Sequence, residues 1–145
     1  MNTYLLGRGF IAGAVAVLVF HQVALWVLNL LGLVPVSPWS FAPTAPFGVP
    51  AVISAAFWGG LWGVLLVAVA PSVARSPGLA ALFGAVFPTL VAWFVVLPLK
   101  GLPAGNGFTW PGILVGPIVN GAWGLGVAYL LRGLERQGRR PARAA

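Results

Sequence analysis

The sequence predicts an all-α integral membrane protein with four transmembrane helices in a single domain. Of its 145 residues, 60% are hydrophobic and 6% are charged, whereas roughly a quarter of the residues in a soluble domain are charged. Four apolar runs are each long enough for a helix to cross a hydrocarbon core of about 30 Å. They are continuous rather than alternating, which excludes a β-barrel. The predicted helices are Gly9–Leu33, Val49–Ala70, Leu79–Leu97 and Gly112–Leu131.

The first helix follows Arg8, an arrangement that also occurs at the start of a signal peptide. Its apolar run is longer than a signal-peptide core and no small-residue cleavage site follows, so we expect an uncleaved membrane helix. The helix carries His21 and Gln22, with Asn29 one heptad beyond Gln22 and Trp26 on nearly the same face. Polar groups are costly inside a bilayer. These side chains are therefore candidates for function.

Two loops lack acidic residues and are rich in proline and aromatic residues. The first has the sequence VPVSPWSFAPTAPFGVP at 34–50, and the second has LPLKGLPAGNGFTWPG at 97–112. Proline restricts the backbone, so both loops are predicted to be stiff without being helical. Their aromatic rings suit the lipid headgroup region. A surface covered by another subunit and a lid over a small-molecule pocket are the alternatives.

Small residues recur at four-residue spacing on the predicted helices, which places them on one side of each helix. Close backbone approach drives helix association in a bilayer, so these stripes predict a tightly packed bundle. The same stripes are alternatively a seat for another protein, a pigment or a lipid. The principal helix-packing candidates are Gly59, Gly63, Gly112, Gly116 and Gly124.

The second and fourth helices resemble each other, with PAVISAAFWGGLWG matching PGILVGPIVNGAWG at a constant offset. The first and third match more weakly, as FHQVALW and FPTLVAW. This pattern predicts two parallel two-helix repeats, with coincidence in an apolar chain as the alternative. Under this alignment His21 corresponds to Pro88 and Asn120 to Gly59, so the two halves differ chemically.

The basic residues predict that both termini are cytoplasmic, because that orientation leaves only Lys100 on the outer side. Their clustering beside the membrane indicates contact with anionic lipid headgroups, with a protein-docking tail at 132–145 as the alternative. A nucleic-acid partner is not expected, since no binding module accompanies the charge. The inner basic residues are Arg8, Arg75, Arg132, Arg136, Arg139, Arg140 and Arg143.

The polar residues predicted to lie within the membrane form one candidate site. The residue types that the chain lacks exclude several activities. The chain has no Cys, one His and one acidic residue, so no catalytic site and no multi-ligand metal site is predicted. Carboxylate-coupled transport is disfavoured because Glu135 lies in the tail. We expect no cofactor, although His21 has the chemistry to bind haem or a quinone. The alternative is a neutral imidazole paired with Asn120, Thr89 or a backbone carbonyl. The candidate site residues are His21, Gln22, Asn29, Thr89 and Asn120.

The string FHQ lies in the first helix, FGVP and FWGGLWG lie before and within the second, and NGAWGLG lies in the fourth. Together they resemble a group of small, uncharacterised bacterial inner-membrane proteins. The resemblance implies a four-helix membrane fold and the bacterial inner membrane, and it implies no activity.

Three functional hypotheses follow from the residues. The first is a non-enzymatic accessory or assembly subunit of a larger inner-membrane complex, or a self-associating module. The second is a small oligomeric channel or transporter lined by the polar site residues. The third is a redox-chain component that binds haem or quinone through His21.

Overall fold

A computed structural model describes residues 3–138, which form four long helices. All four are long and apolar enough to cross a membrane, as a multi-pass membrane protein requires. A 3₁₀ turn at Gly112–Leu114 precedes the last of them. The helices are α1 (Thr3–Leu30), α2 (Ala51–Val69), α3 (Pro77–Leu99) and α4 (Val115–Gly138).

The helix bounds differ from the predicted ones mainly at the two ends of the chain. The first helix begins at Thr3 rather than Gly9, and the last continues to Gly138 rather than ending at Leu131. The extension of α4 is stabilised by the short helix Pro71–Arg75. Arg132 Nε donates to the Arg75 carbonyl over 2.7 Å. Part of the predicted tail is therefore helical, while Arg139, Arg140 and Arg143 lie outside the described residues.

Proline marks the start of both inner helices. Pro50 precedes α2, and Pro77 is the first residue of α3, a position where the missing N–H costs no hydrogen bond. Inside α3, Pro88 removes one backbone donor. A π turn follows it at Ala92–Val96, and α1 contains a similar π turn at Val17–His21.

The four helices pack as two antiparallel hairpins that meet through α1 and α4. The most extensive contacts join α1 to α2 and α3 to α4, and the next most extensive join α1 to α4. Between α2 and α3 the contact is made by long side chains, with the rings of Trp62 and Phe83 6.1 Å apart. The lateral order of the helices is therefore α2, α1, α4, α3.

Each hairpin is closed by a crossing of small residues. In the first hairpin, a Cβ placed on Gly13 would overlap the Gly59 carbonyl oxygen of α2. In the second, a Cβ on Gly84 would overlap the Asn120 carbonyl oxygen of α4. Because each glycine faces the backbone of its partner helix, a larger side chain would push the two helices apart.

The two ends of the bundle differ in composition. The terminal end holds Thr3, the short helix Pro71–Arg75 and Gly138, and it carries most of the charges. The loop end holds segments 31–50 and 100–111, whose only charged residue is Lys100. In the first segment, strands Pro43–Thr44 and Val49–Pro50 pair in an antiparallel ladder. In the second, a 3₁₀ segment covers Ala104–Phe108.

Candidate functional site

The predicted polar site does not form one cluster. Asn120 and Thr89 belong to the interface between α3 and α4, where Asn120 Nδ2 donates to Thr89 Oγ1 over 3.0 Å. Thr89 is 1% exposed and Asn120 is partly buried, so this hydrogen bond lies largely within the interface. The pair joins two helices of the same hairpin, and it does not include His21, for which these two residues were predicted partners.

Gln22 and the π turn of α1 hold Trp39, a residue of the first loop. The backbone N–H of Gln22 donates to the carbonyls of Val17 and Val19, which leaves the Leu18 carbonyl available. That carbonyl accepts the indole N–H of Trp39 over 2.9 Å. The backbone N–H of Trp39 donates to Gln22 Oε1 over 2.7 Å. We call this pair of hydrogen bonds the Trp39 strap.

Asn29 fixes the chain as it leaves α1. Its Nδ2 donates to the Val34 carbonyl over 3.0 Å and to the Val36 carbonyl over 3.2 Å. Val34 is buried in a small apolar cluster with Leu25 and other residues. Together the amides of Gln22 and Asn29 attach the start of the first loop to the helix, which was not predicted from their spacing.

His21 is different from the other polar residues of the site. It lies in the same π turn as Leu18, and its Nδ1 is the only buried side-chain nitrogen or oxygen without a hydrogen-bond partner among the described residues. A small part of the residue remains exposed, but that part does not include Nδ1. Unpaired buried polar groups are rare because each one loses its hydrogen bonds to water.

The second loop is also attached to a π turn by an aromatic residue. The ring of Phe108 packs edge-on against Trp93 of α3, with the ring centres 5.6 Å apart, and also contacts Phe94. Trp39 and Phe108 both have positive backbone φ, at 48° and 51°, which is uncommon for bulky residues. Each loop therefore directs one aromatic ring back onto the helix that precedes it.

Trp123 is a central packing residue that the sequence reasoning did not identify. It is 2% exposed, and its indole N–H donates to the Gly13 carbonyl of α1 over 2.9 Å. A Cβ on Gly59 would lie 3.2 Å from its Nε1, and a Cβ on Gly84 would lie 3.2 Å from its ring. One α4 side chain thus contacts all three other helices. The sequence signals for this residue are its place in the motif NGAWG and its alignment with Trp62.

The structure places four of the five predicted packing glycines against neighbouring helices. Gly59 and Gly63 face α1, and Gly124 faces the backbone of α3. A Cβ on Gly116 would approach Thr89 Cγ2 to 2.8 Å. Gly112 lies in the 3₁₀ turn before α4, where a Cβ would make only an ordinary contact with Thr109 Oγ1, a residue of the preceding loop. The four-residue spacing of small residues continues past the start of α4. The sequence pattern therefore predicted a helix-packing role for Gly112 that the structure does not show.

The terminal end carries the four described members of the predicted headgroup-binding set, Arg8, Arg75, Arg132 and Arg136. Arg75 Nε pairs with Glu135 Oε1 over 2.7 Å. The Arg8 guanidinium lies over the Tyr4 ring, 4.1 Å from its centre, while Arg132 and Arg136 are exposed. These charges therefore lie together at one end of an apolar bundle.

Aromatic side chains project from the loop end. Phe47 is 86% exposed, Trp110 is 77% exposed and Phe41 is 72% exposed. Thr44 Oγ1 donates to the Val49 carbonyl over 2.7 Å, which closes the turn that presents Phe47. These rings therefore extend from loops whose backbones are held in place.

Comparison with protein-family models, with curated proteins and with solved structures finds no match to this chain.

Proposed function

We propose that the protein is a non-enzymatic subunit of a larger membrane complex, and that it binds another membrane protein through its loop end. The observation that carries this proposal is the combination of two firmly held loops with exposed aromatic side chains, above all Phe47 and Trp110. The polar side chains of the membrane region support the same proposal. Gln22 and Asn29 hold the first loop in place.

A loop surface of this kind is suited to a protein partner. Aromatic residues are enriched in protein interfaces, and charged residues are depleted at their centres. Lys100 is the only charged residue in the two loop segments. Loops that are already ordered lose little conformational entropy when a partner binds. Headgroup anchoring, the alternative role for such rings, needs aromatic side chains but no fixed loop backbone.

A channel lined by the predicted polar residues has less support. Asn120 and Thr89 hydrogen-bond to each other, and Gln22 and Asn29 hydrogen-bond to the first loop. Side chains that satisfy one another across a packed interface do not present a continuous polar path.

The proposed architecture is a tandem repeat of one helical hairpin. Gly13 opposes Gly59 in the first hairpin as Gly84 opposes Asn120 in the second. By these contacts, Gly13 in the first hairpin is equivalent to Gly84 in the second. The sequence alignment, which matches Phe20 with Phe87, instead makes Gly13 equivalent to Ala80, one helical turn away from Gly84. The symmetry is incomplete, because α1 contacts α4 far more than α2 contacts α3.

The proposed location is the bacterial inner membrane, with both termini in the cytoplasm. The support is the charge distribution, since basic residues are retained on the cytoplasmic side of membrane proteins. Arg8, Arg75, Arg132 and Arg136 lie at the terminal end. In this orientation they face anionic lipids of the inner leaflet, and the loop end faces outward toward its partner.

Photocrosslinking in native membranes tests the proposed docking surface. The photoreactive residue p-benzoylphenylalanine replaces Phe47 in one variant and Trp110 in another. We expect both variants to give an adduct with the same partner protein. The matched control carries the probe at Leu82, which is 61% exposed on the side of α3, and we expect lipid adducts alone there.

Purification in mild detergent provides the second arm of this test. We expect the crosslinked partner to co-purify in constant ratio, and to be lost when Phe47→Ser and Trp110→Ser are combined. Adducts with lipid alone from both loop positions would overturn the proposal. An adduct with twice the 15.0 kDa mass of the chain would identify a second copy, and would overturn binding to a different protein.

A further inference from the structure

One face of α2 is turned away from the rest of the bundle. The helix packs on α1 through Gly59 and Gly63, and it meets α3 through long side chains such as Trp62. On the opposite face, residues at alternating spacings of four and three are exposed or half-buried. Such spacing keeps side chains on one side of a helix, as in the seams along which membrane helices pair. We call this face the α2 seam; it consists of Ser54, Trp58, Leu61, Leu65 and Ala68.

Trp58 is the most exposed tryptophan of the four membrane spans, with 59% of its surface exposed. At a rise of 1.5 Å per residue, it lies about 10 Å along α2 from Ala51, in a helix about 28 Å long. Tryptophan favours the membrane–water interface, where its N–H finds a hydrogen-bond partner. An exposed indole this far along the span instead faces hydrocarbon, which offers no acceptor for the N–H.

The α2 seam carries a hydrogen-bond donor and an acceptor that are both unpaired. Within the part of the chain that the structure describes, neither the Trp58 indole N–H nor the Ser54 hydroxyl makes a hydrogen bond. The indole N–H groups of Trp39 and Trp123, in contrast, both donate to backbone carbonyls of α1. Hydrogen bonds between helices stabilise association in a bilayer. The seam therefore has polar groups available for a neighbouring helix.

The spacing of Ser54 and Trp58 makes the seam complementary to itself. The two residues are four apart, so they lie on the same side of α2. A long side chain in a helix leans over the turn that precedes it, which brings the Trp58 indole to the level of Ser54. A two-fold axis along the membrane normal places equal depths of two copies opposite each other. Each indole N–H then lies at the level of the other copy's Ser54 hydroxyl.

We propose that two copies of the protein pair within the membrane through their α2 seams, with Trp58 Nε1 of each copy donating to Ser54 Oγ of the other. A second copy supplies both missing partners at once, because the symmetry repeats the donor and the acceptor at matching depths. Lipid tails have no hydrogen-bonding atoms, and an unrelated helix would need its own acceptor at the level of Ser54. This contact lies on the membrane span and not on the loop end, so either proposal can fail without the other.

Disulfide crosslinking in membranes tests the seam, since the natural chain has no cysteine. Leu61→Cys and Leu65→Cys each place one thiol in the seam. The matched control is Ile11→Cys, at an exposed position of α1, which like Leu61 lies about 12 Å from the terminal end of its helix.

The three cysteine variants are expressed at a low level and oxidised with copper phenanthroline. We expect one or both seam positions to give about five times more disulfide-linked dimer than Ile11→Cys, because residues along a two-fold contact meet their own copies. Equal yields from seam and control, or no dimer from either seam position, would overturn the proposal.

Self-association in liposomes tests the hydrogen bond itself, by energy transfer between copies labelled at an added Ser72→Cys. Trp58→Phe keeps an aromatic ring but removes the donor, and Ser54→Ala removes the acceptor. We expect each substitution to raise the dissociation constant of the pair about tenfold, because the symmetric contact loses two interhelical hydrogen bonds. The double variant should be no weaker than the single variants, since all three lack the same two bonds.

The matched control for this assay is Trp26→Phe, at an exposed ring on α1. It should associate like the unmodified protein, because it lies outside the α2 seam. Unchanged association of Trp58→Phe, or additive effects of Trp58→Phe and Ser54→Ala, would overturn the proposed pairing.

Discussion

Gln22, Asn29 and Gly13 show how single residues of α1 determine the shape of the surrounding structure. The two amides hydrogen-bond to loop backbone groups, which would otherwise lie unpaired near the membrane. Gly13 has the opposite role, since its lack of a side chain lets the carbonyl of Gly59 approach the helix. In each case the residue acts through backbone groups of another segment.

Replacing Gly13 by alanine tests the close approach of α1 and α2. The added methyl group would overlap the Gly59 carbonyl, which is backbone and cannot rotate away. We expect the free energy of unfolding to fall by about 1–3 kcal/mol, as for other overpacked sites. The measurement is detergent-induced unfolding in mixed micelles, followed by circular dichroism.

Gly7→Ala is the matched control on the same helix. No atom lies within 4 Å of a Cβ at Gly7, so this variant should gain up to about 1 kcal/mol from helix propensity. Equal effects of the two substitutions would contradict the role assigned to the crossing.

The π turns and loops act as paired elements. In the first hairpin the π turn of α1 leaves a carbonyl to which Trp39 donates, and in the second the π turn of α3 carries the rings on which Phe108 packs. The interruption of a helix in a bilayer is tolerable when other groups satisfy its backbone. We infer that loop and π turn stabilise each other.

Gln22→Leu tests the Trp39 strap at the level of the element. Leucine keeps the size of the side chain but removes the acceptor of the Trp39 N–H. Losing this hydrogen bond should lower the free energy of local opening of the loop by about 1.4 kcal/mol. Amide exchange in segment 36–44 should therefore accelerate about tenfold. Hydrogen–deuterium exchange measured by mass spectrometry reports this change.

The control for the strap is Trp26→Phe, at an exposed ring on α1. It should leave the exchange of the loop unchanged, because Trp26 makes no hydrogen bond to that segment. If Gln22→Leu also leaves the exchange unchanged, the strap does not hold the loop.

The whole bundle depends on Trp123, because the two hairpins contact each other mainly through α1 and α4. Its ring lies against glycines of the three other helices. Trp62, its match in the sequence repeat, contacts Phe83 instead. Of these two tryptophans, Trp123 thus lies at the centre of the molecule, while Trp62 bridges α2 and α3.

Trp123→Phe should therefore destabilise the fold more than Trp62→Phe. The first substitution removes the hydrogen bond to Gly13 and leaves a cavity in the core. We expect a loss of about 1–3 kcal/mol. The second keeps an aromatic contact at a half-buried position, and it should lose less than half as much. Equal losses in the same unfolding assay would contradict the central role of Trp123.

The orientation of the molecule can be measured with single cysteines, since the natural chain has none. Ser37→Cys lies at the loop end and Ser72→Cys at the terminal end, and both positions are exposed. We expect a membrane-impermeant maleimide to label position 37 in intact cells, and position 72 only after the membrane is opened. The reverse pattern would overturn the orientation predicted from the basic residues.

The sequence by itself determined the class of the molecule and its four helices. Long apolar runs without charge have few stable alternatives to a membrane helix, and small residues at four-residue spacing marked Gly59, Gly63 and Gly124 as packing positions. The polar candidates were also visible, since His21, Gln22, Asn29, Thr89 and Asn120 interrupt otherwise apolar runs.

The tertiary structure decided which partner each of those residues has. Gln22 binds Trp39 because a π turn and a positive φ bring a distant loop onto the helix, and local sequence periodicity does not reveal either feature. The same holds for Trp123, whose partners come from three other helices. Apolar patterning specifies a helix through local spacing, whereas hydrogen-bond partners depend on segments that only the folded chain brings together.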